Sequence, residues 1–76
     1  MYEFTVNGVE YVIEFEQTAY IFADIYVGRI YDTNEDCVGV IMVDETDVVL
    51  KRVKNDDVRQ YVETHTDSIA EYANCI

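Results

Sequence analysis

The side chains best able to do chemistry in this chain are one histidine, two cysteines and sixteen carboxylates. His65 could act as the base for a cysteine nucleophile, but Cys75 is the penultimate residue, a poor place for a preorganised nucleophile. Structural zinc sites use closely spaced pairs of Cys or His ligands, and the sequence contains no such pair. His65 also falls on the apolar side of a predicted helix, where a histidine usually packs. These residues therefore predict neither catalysis nor a metal site.

One acidic loop resembles the start of a calcium-binding loop. Asp32, Asn34 and Asp36 match the opening D-x-N-x-D of an EF-hand. Cys37 stands where the EF-hand needs a glycine, and Val43 stands where it needs a bidentate glutamate. We interpret the segment as an acidic turn and predict no metal and no other cofactor.

Acid–base catalysis by carboxylates requires two of them to converge in a cleft with well-separated pKa values. The sequence marks no pair among the sixteen acids, and a chain of 76 residues offers little cleft. We therefore expect that the protein is not an enzyme.

The distribution of charge carries the strongest functional signal. The formal net charge is −11, and residues 1–50 hold eleven acids against one base, Arg29, whereas residues 51–76 hold five acids and four bases. A phosphate backbone is bound through Lys and Arg, so direct binding of nucleic acid is not expected. A basic protein partner is favoured instead. The alternative is that the acidity only keeps a small protein soluble.

The first hairpin determines which carboxylates share a surface. Asn7-Gly8 separates two alternating runs, which predicts a type I′ turn because both central residues need positive φ. Pairing across that turn puts Tyr2 with Ile13, Phe4 with Tyr11, and Val6 with Val9. Side chains alternate along a strand, so the other face is acidic. That face carries Glu3, Thr5, Glu10, Val12, Glu14 and Glu16.

Three further strands are predicted between residues 18 and 53. After a turn at Gln17-Thr18, residues 18–31 form an apolar run typical of a central strand, in which Gly28 indicates a bulge or bend. In that strand we expect the odd-numbered residues from Ala19 to Val27 to lie under a helix, and the even-numbered ones to lie on the other face. Residues 37–43 and 48–53 give two more strands, separated by polar turns. Lys51 and Arg52 suit an exposed edge.

The C-terminal third predicts a helix. Asn55 is a helix-capping residue, and apolar residues then recur at helical spacing. Thr64, Thr66 and Ser68 are poor helix formers, so this helix is either continuous or broken near Thr66. The fold prediction is one α+β domain over residues 1–76. An antiparallel β-meander of four to five strands spans 1–53, and one C-terminal helix over 55–75 packs on one face. Whether the sheet is open or barrel-like stays undecided.

Carboxylates on adjacent strands repeat at about 5–7 Å, a separation similar to that of successive phosphates on one DNA strand. We therefore expect a DNA-mimic-like inhibitor whose acidic β-face blocks a basic, nucleic-acid-binding site on a partner protein. Tyr20 and Tyr26 would add contact area if the third strand joins the sheet with its even-numbered residues on that same face. The predicted contact residues are Glu3, Glu10, Glu14, Glu16, Tyr20, Asp24 and Tyr26.

In size, charge and lack of catalytic motifs, the chain is similar to small acidic inhibitors made by phages and mobile elements, including anti-CRISPR and anti-restriction proteins. No signal peptide and no run of transmembrane length is visible, so a cytoplasmic monomer or homodimer is expected, in the host cytoplasm if a phage encodes it. In that compartment Cys37 and Cys75 are expected as free, half-buried thiols, with a disulfide as the alternative. Two other functions stay open: an antitoxin or immunity protein for a basic toxin, and a structural module that self-associates.

Overall fold

Five β-strands and two α-helices follow one another in the computed structural model, which describes residues 1–18 and 25–75. The strands are β1 (Tyr2–Val6), β2 (Val9–Thr18), β3 (Ile25–Tyr31), β4 (Cys37–Asp44) and β5 (Asp47–Val53). The helices are α1 (Asp56–Thr64) and α2 (Thr66–Asn74). The sheet is an antiparallel meander in the order β1-β2-β3-β4-β5, with the helices packed on one face. The predicted α+β class is confirmed.

The first hairpin has the predicted register. Tyr2 pairs with Ile13, Phe4 with Tyr11, and Val6 with Val9. Asn7 and Gly8 have φ angles of 50° and 78°, the positive values that a type I′ turn requires. This hairpin therefore forms from a purely local signal.

The second hairpin differs from the prediction. β2 continues through Thr18, which pairs with Ile25, so the turn predicted at Gln17-Thr18 is wrong. The added pairing gives these residues ladder hydrogen bonds that a turn at the same place would lose. Of the strand predicted over 18–31, the structure describes Ile25–Tyr31. Residues 19–24 lie outside the described residues.

The register of β3 also reverses the predicted faces of that strand. Ile13 and Ile30 are paired and fully buried, so alternation places Tyr26 on the helix-covered face, where it is half-buried against the core. Ile25 and Val27, expected beneath the helix, lie on the opposite face. The expectation that Tyr26 lies beside the carboxylates is therefore wrong.

The hydrophobic core fills the space between one face of the sheet and the two helices. Its largest fully buried side chains are Ile13, Ile30, Ile41, Val43, Val58, Val62 and Ile69. The face of the sheet turned away from the helices is called the open face below. It carries Glu3, Thr5, Glu10, Val12, Glu14, Glu16, Ile25, Val27, Arg29, Tyr31, Cys37, Val40, Met42, Asp44, Asp47, Val49 and Arg52.

The C-terminal helical segment is broken, one of the two forms that the sequence allows. Asn55 caps α1 by accepting hydrogen bonds from amides of its first turn. At the other end, the Thr64 hydroxyl lies 2.9 Å from the Gln60 carbonyl and 3.1 Å from the Tyr61 carbonyl. A threonine that bonds back to its own helix competes with helix continuation. His65 follows with φ −124° and ψ 29°, and α2 begins at the next residue.

An aromatic cluster attaches the edge strand β1 to both helices. The Phe4 ring stacks on Tyr61 at a centroid separation of 4.2 Å, and Tyr61 stacks on His65 at 3.9 Å. The hydroxyls of Tyr2 and Tyr61 are hydrogen-bonded at 2.9 Å. The Tyr2 ring also meets Tyr72 edge-on at 5.6 Å. These contacts hold β1 against the helices, and its one carboxylate, Glu3, lies on the open face.

Tyr2 makes the stability of this cluster pH-dependent. Burial, together with the hydrogen bond to Tyr61, raises the pKa of Tyr2 above the ordinary tyrosine value of 10.0. The folded state holds this proton more tightly than the unfolded chain does. Its contribution to stability is therefore complete below pH 10.0 and is lost as the pH rises further.

Tyr2→Phe is expected to flatten the alkaline decline of the unfolding free energy, because phenylalanine has no proton to lose. Urea unfolding at several pH values between about 9 and 11.5 measures this slope. Tyr31→Phe, on the open face and outside the cluster, is the control. A variant at Tyr2 with the wild-type slope would contradict the prediction.

Candidate partner-binding face

Four glutamates of the first hairpin form a continuous row on the open face, called the acidic row below. Glu3 lies opposite Val12, which places it diagonally between Glu10 and Glu14. Glu16 continues the row along β2. Diagonal neighbours on adjacent strands are about 7–8 Å apart, and alternate residues of one strand about 7 Å apart. The row therefore zigzags from Glu10 through Glu3 and Glu14 to Glu16 with nearly even spacing.

The acidic row is largely uncompensated. All four glutamates are exposed, and among the described residues one cation pairs with the row: the Arg29 guanidinium lies 2.9 Å from the Glu16 carboxylate. That hydrogen bond raises the pKa of Arg29 above its usual value. No ion pair joins Glu3, Glu10 or Glu14 to another described residue, although Glu14 lies directly opposite Arg29 on β3. Three carboxylates therefore face solvent together on one edge of a folded sheet.

The structure does not bring all the predicted contact residues together. The four glutamates share one surface, as expected. Tyr26 lies on the helix-covered face, and Tyr20 and Asp24 lie outside the described residues. Aromatic contact area beside the row can come instead from Tyr31, which is half-buried on the open face opposite Val12.

Sequence reasoning missed an apolar patch on the same face. The patch consists of Val27, Val40, Met42 and Val49. Val27 pairs with Met42, and Met42 pairs with Val49, which is 47% exposed. Strands β4 and β5 are apolar on both faces, a pattern typical of strands that are covered on both sides. That pattern could have revealed the patch.

The far side of the patch is basic. Arg52 lies opposite Val40, and Lys51 is the extra residue of a β-bulge beside it. Both are exposed, and β5 is an edge strand of the sheet, as the two cations predict. At the end of the strands that carries Arg52, the open face therefore changes from acidic on β1 and β2 to apolar and then basic on β5, whereas the other end of β4 and β5 carries the exposed acids Asp44 and Asp47.

The other chemically capable residues that the structure describes form no cluster, and one of them, Cys37, lies on the open face opposite Tyr31. The Asp32 carboxylate accepts hydrogen bonds from the amides of Asn34 and Asp36 at 2.9 and 3.0 Å, so it organises its own loop. Cys37 and Cys75 are free, and both are exposed rather than half-buried as predicted. Across the described ranges no three His, Cys, Asp or Glu side chains come close enough to hold a metal ion.

No protein family, curated protein or solved structure matches the chain. What the structure defines is a class: an α+β meander with a charge-polarised open sheet face. Neither α1 nor α2 is long and apolar enough to cross a membrane.

Proposed function

We propose that this protein is a non-enzymatic inhibitor whose acidic row binds a basic, nucleic-acid-binding site on a partner protein. The observation that supports the proposal is the row itself. Its four carboxylates are spaced by about 7 Å on one edge of a sheet. Three of them pair with no cation among the described residues.

Recognition would rest on carboxylates that replace phosphates. Arg binds both groups through two parallel hydrogen bonds, and Lys binds both as a point charge. Binding of a partner would break one ion pair of the row, Arg29–Glu16. Exposed pairs of this kind contribute only about 0–1 kcal/mol to stability. A basic partner therefore gains new ion pairs at little internal cost.

Preorganisation also favours this function. The residues beneath the row include Phe4 and Tyr11, which are buried and stacked on each other at 5.4 Å. A sheet held from below loses little backbone freedom on binding, and this increases affinity. We propose a cytoplasmic location, where the protein would act as the small acidic phage inhibitors do.

The test is capture from a nuclease-treated bacterial lysate by the tagged protein, at low and moderate salt, read by mass spectrometry. The expected result is a nucleic-acid-binding protein whose capture weakens with salt and is displaced by added DNA or RNA, because all three bind the same groove. A captured basic protein that nucleic acid does not displace would contradict mimicry. It would favour an antitoxin that binds outside the groove.

A further inference from the structure

We propose that the open face binds a second copy of this chain, with β2 of each copy over β5 of the other and with Val27 and Met42 of the two apolar patches in contact. This inference goes beyond the proposed function, because it concerns the protein alone and needs no other partner. It rests on the apolar patch, on the order of charges across the face and on the size of the surface.

The apolar patch is the surface that contact would cover. Glu16, Val27, Met42 and Val49 form one straight cross-strand row from β2 to β5. Its last three members are apolar, and Val49 is 47% exposed. Contiguous apolar side chains on a polar-rimmed surface are typical of protein interfaces. On the other face the helices already cover the equivalent side chains.

The charges of the neighbouring cross-strand row favour a second copy of this chain as the binding partner. Glu14, Arg29, Val40 and Arg52 follow one another across the same four strands. When this row is reversed and laid on itself, Glu14 faces Arg52 of the second copy, and Arg29 faces Val40 of the second copy. The same reversal places Val27 opposite Met42 of the second copy and Val49 opposite Glu16 of the second copy. A two-fold axis that runs parallel to the strands, between β3 and β4, produces this reversal. Such an axis gives a closed, self-complementary interface.

The size of the surface predicts a weak dimer. Four strands about 4.8 Å apart, each about seven residues long, present roughly 450 Å² per copy. A standard stable interface buries about 800 Å² per partner. The dimer is therefore expected to form weakly and reversibly. It would cover Glu14 and Glu16, so a basic partner and the second copy would compete for the open face.

The salt dependence of the affinity distinguishes dimerisation from binding to a basic partner. Each copy carries a net charge of −11, so the copies repel each other at long range, and salt screens that repulsion. Apolar contact is not screened, and pairs enclosed in the interface are screened less than exposed ones. Dimerisation is therefore expected to strengthen with salt, whereas binding to a basic protein weakens.

Sedimentation equilibrium of the full chain tests the proposal, at about 10 μM to 1 mM protein and at about 50 and 500 mM NaCl. We expect a reversible dimer that strengthens with salt and that Val49→Glu weakens by at least about tenfold. Val9→Glu is the matched control, since Val9 is 42% exposed and lies on the other face of the hairpin. A monomer under all conditions would overturn the proposal, and so would a dimer that the two variants affect equally. The latter result would indicate contact elsewhere, such as an edge strand.

Exchanging the charges of Glu14 and Arg52 tests the orientation of the two copies in the dimer. Glu14→Arg alone and Arg52→Glu alone are each expected to weaken the dimer, because each places like charges opposite one another. The double variant restores opposite charges across the interface and is expected to dimerise like the wild type. If the double variant is weaker than both single variants, the strand-parallel two-fold axis is wrong.

Discussion

Gly28→Val is expected to lower the unfolding free energy by about 3 kcal/mol or more, a large part of the roughly 4–11 kcal/mol typical of a chain this long. A Cβ atom at this position would lie 2.9 Å from each of three side-chain atoms: Ile13 Cγ2, Ile41 Cγ1 and Phe15 Cε1. Ile13 and Ile41 are fully buried. A close-packed interior gives such side chains little room to withdraw, so the added methyl groups would force the core apart.

Gly28→Ala, measured by urea unfolding, is expected to cost about 1–3 kcal/mol for the same reason. Val27→Ala, one residue earlier and on the open face, is the control and is expected to cost less than Gly28→Val. Combining Gly28→Ala with Ile41→Ala should cost less than the sum of the two single changes, because the second makes room for the first. Strict additivity would show that the two sites do not touch.

Gly28 is a residue whose structural role local sequence signals do not predict. A glycine inside a strand predicts a bulge or bend, but the irregularity in the β3–β4 pairing lies elsewhere, where Val38 of β4 is the extra residue between the Ile30–Gly39 and Tyr31–Cys37 pairs. Gly28 pairs regularly with Phe15 and Ile41, and its role is to leave space for side chains from both neighbouring strands. That close approach is non-local, so the residues around the glycine do not reveal it.

The predictions that are confirmed rest on signals within a few residues. Asn7-Gly8 sets its own turn and hence the register of β1 with β2. Asn55 caps α1 through amides two and three residues ahead. The break at His65 lies among weak helix formers, which left both a continuous and a broken helix open. Turn and capping chemistry therefore determine the four-glutamate row before any tertiary contact is known.

The predictions that are wrong depend on contacts between strands. Both faces of residues 25–31 are bulky, so alternation alone does not say whether Tyr26 or Val27 faces the helices. The buried Ile13–Ile30 pair decides it. In β5, alternation from Leu50 would turn Arg52 inward. The bulge at Lys51 turns Arg52 to the open face and buries Val53 instead.

Reversing both Glu10 and Glu14 to lysine is expected to weaken binding of a basic partner by at least about a hundredfold near 100 mM salt, since two attractive contacts become repulsive. The salt dependence of the remaining affinity should also flatten. Neither side chain pairs with another described residue, and both are exposed, so the fold is expected to stay intact. The measurement is a salt titration of the affinity for the captured partner, with circular dichroism to confirm the fold.

Glu63→Lys with Glu71→Lys is the matched control, because both residues are exposed on the helices and the change in net charge is the same. If the two double variants lose affinity equally, net charge rather than the acidic row drives binding. Full affinity in the Glu10/Glu14 variant would mean that another surface binds the partner. Val49→Glu separates the two functions, because it should weaken the dimer while leaving the acidic row able to bind. Loss of dimerisation and loss of inhibition can therefore be assigned to different parts of one face.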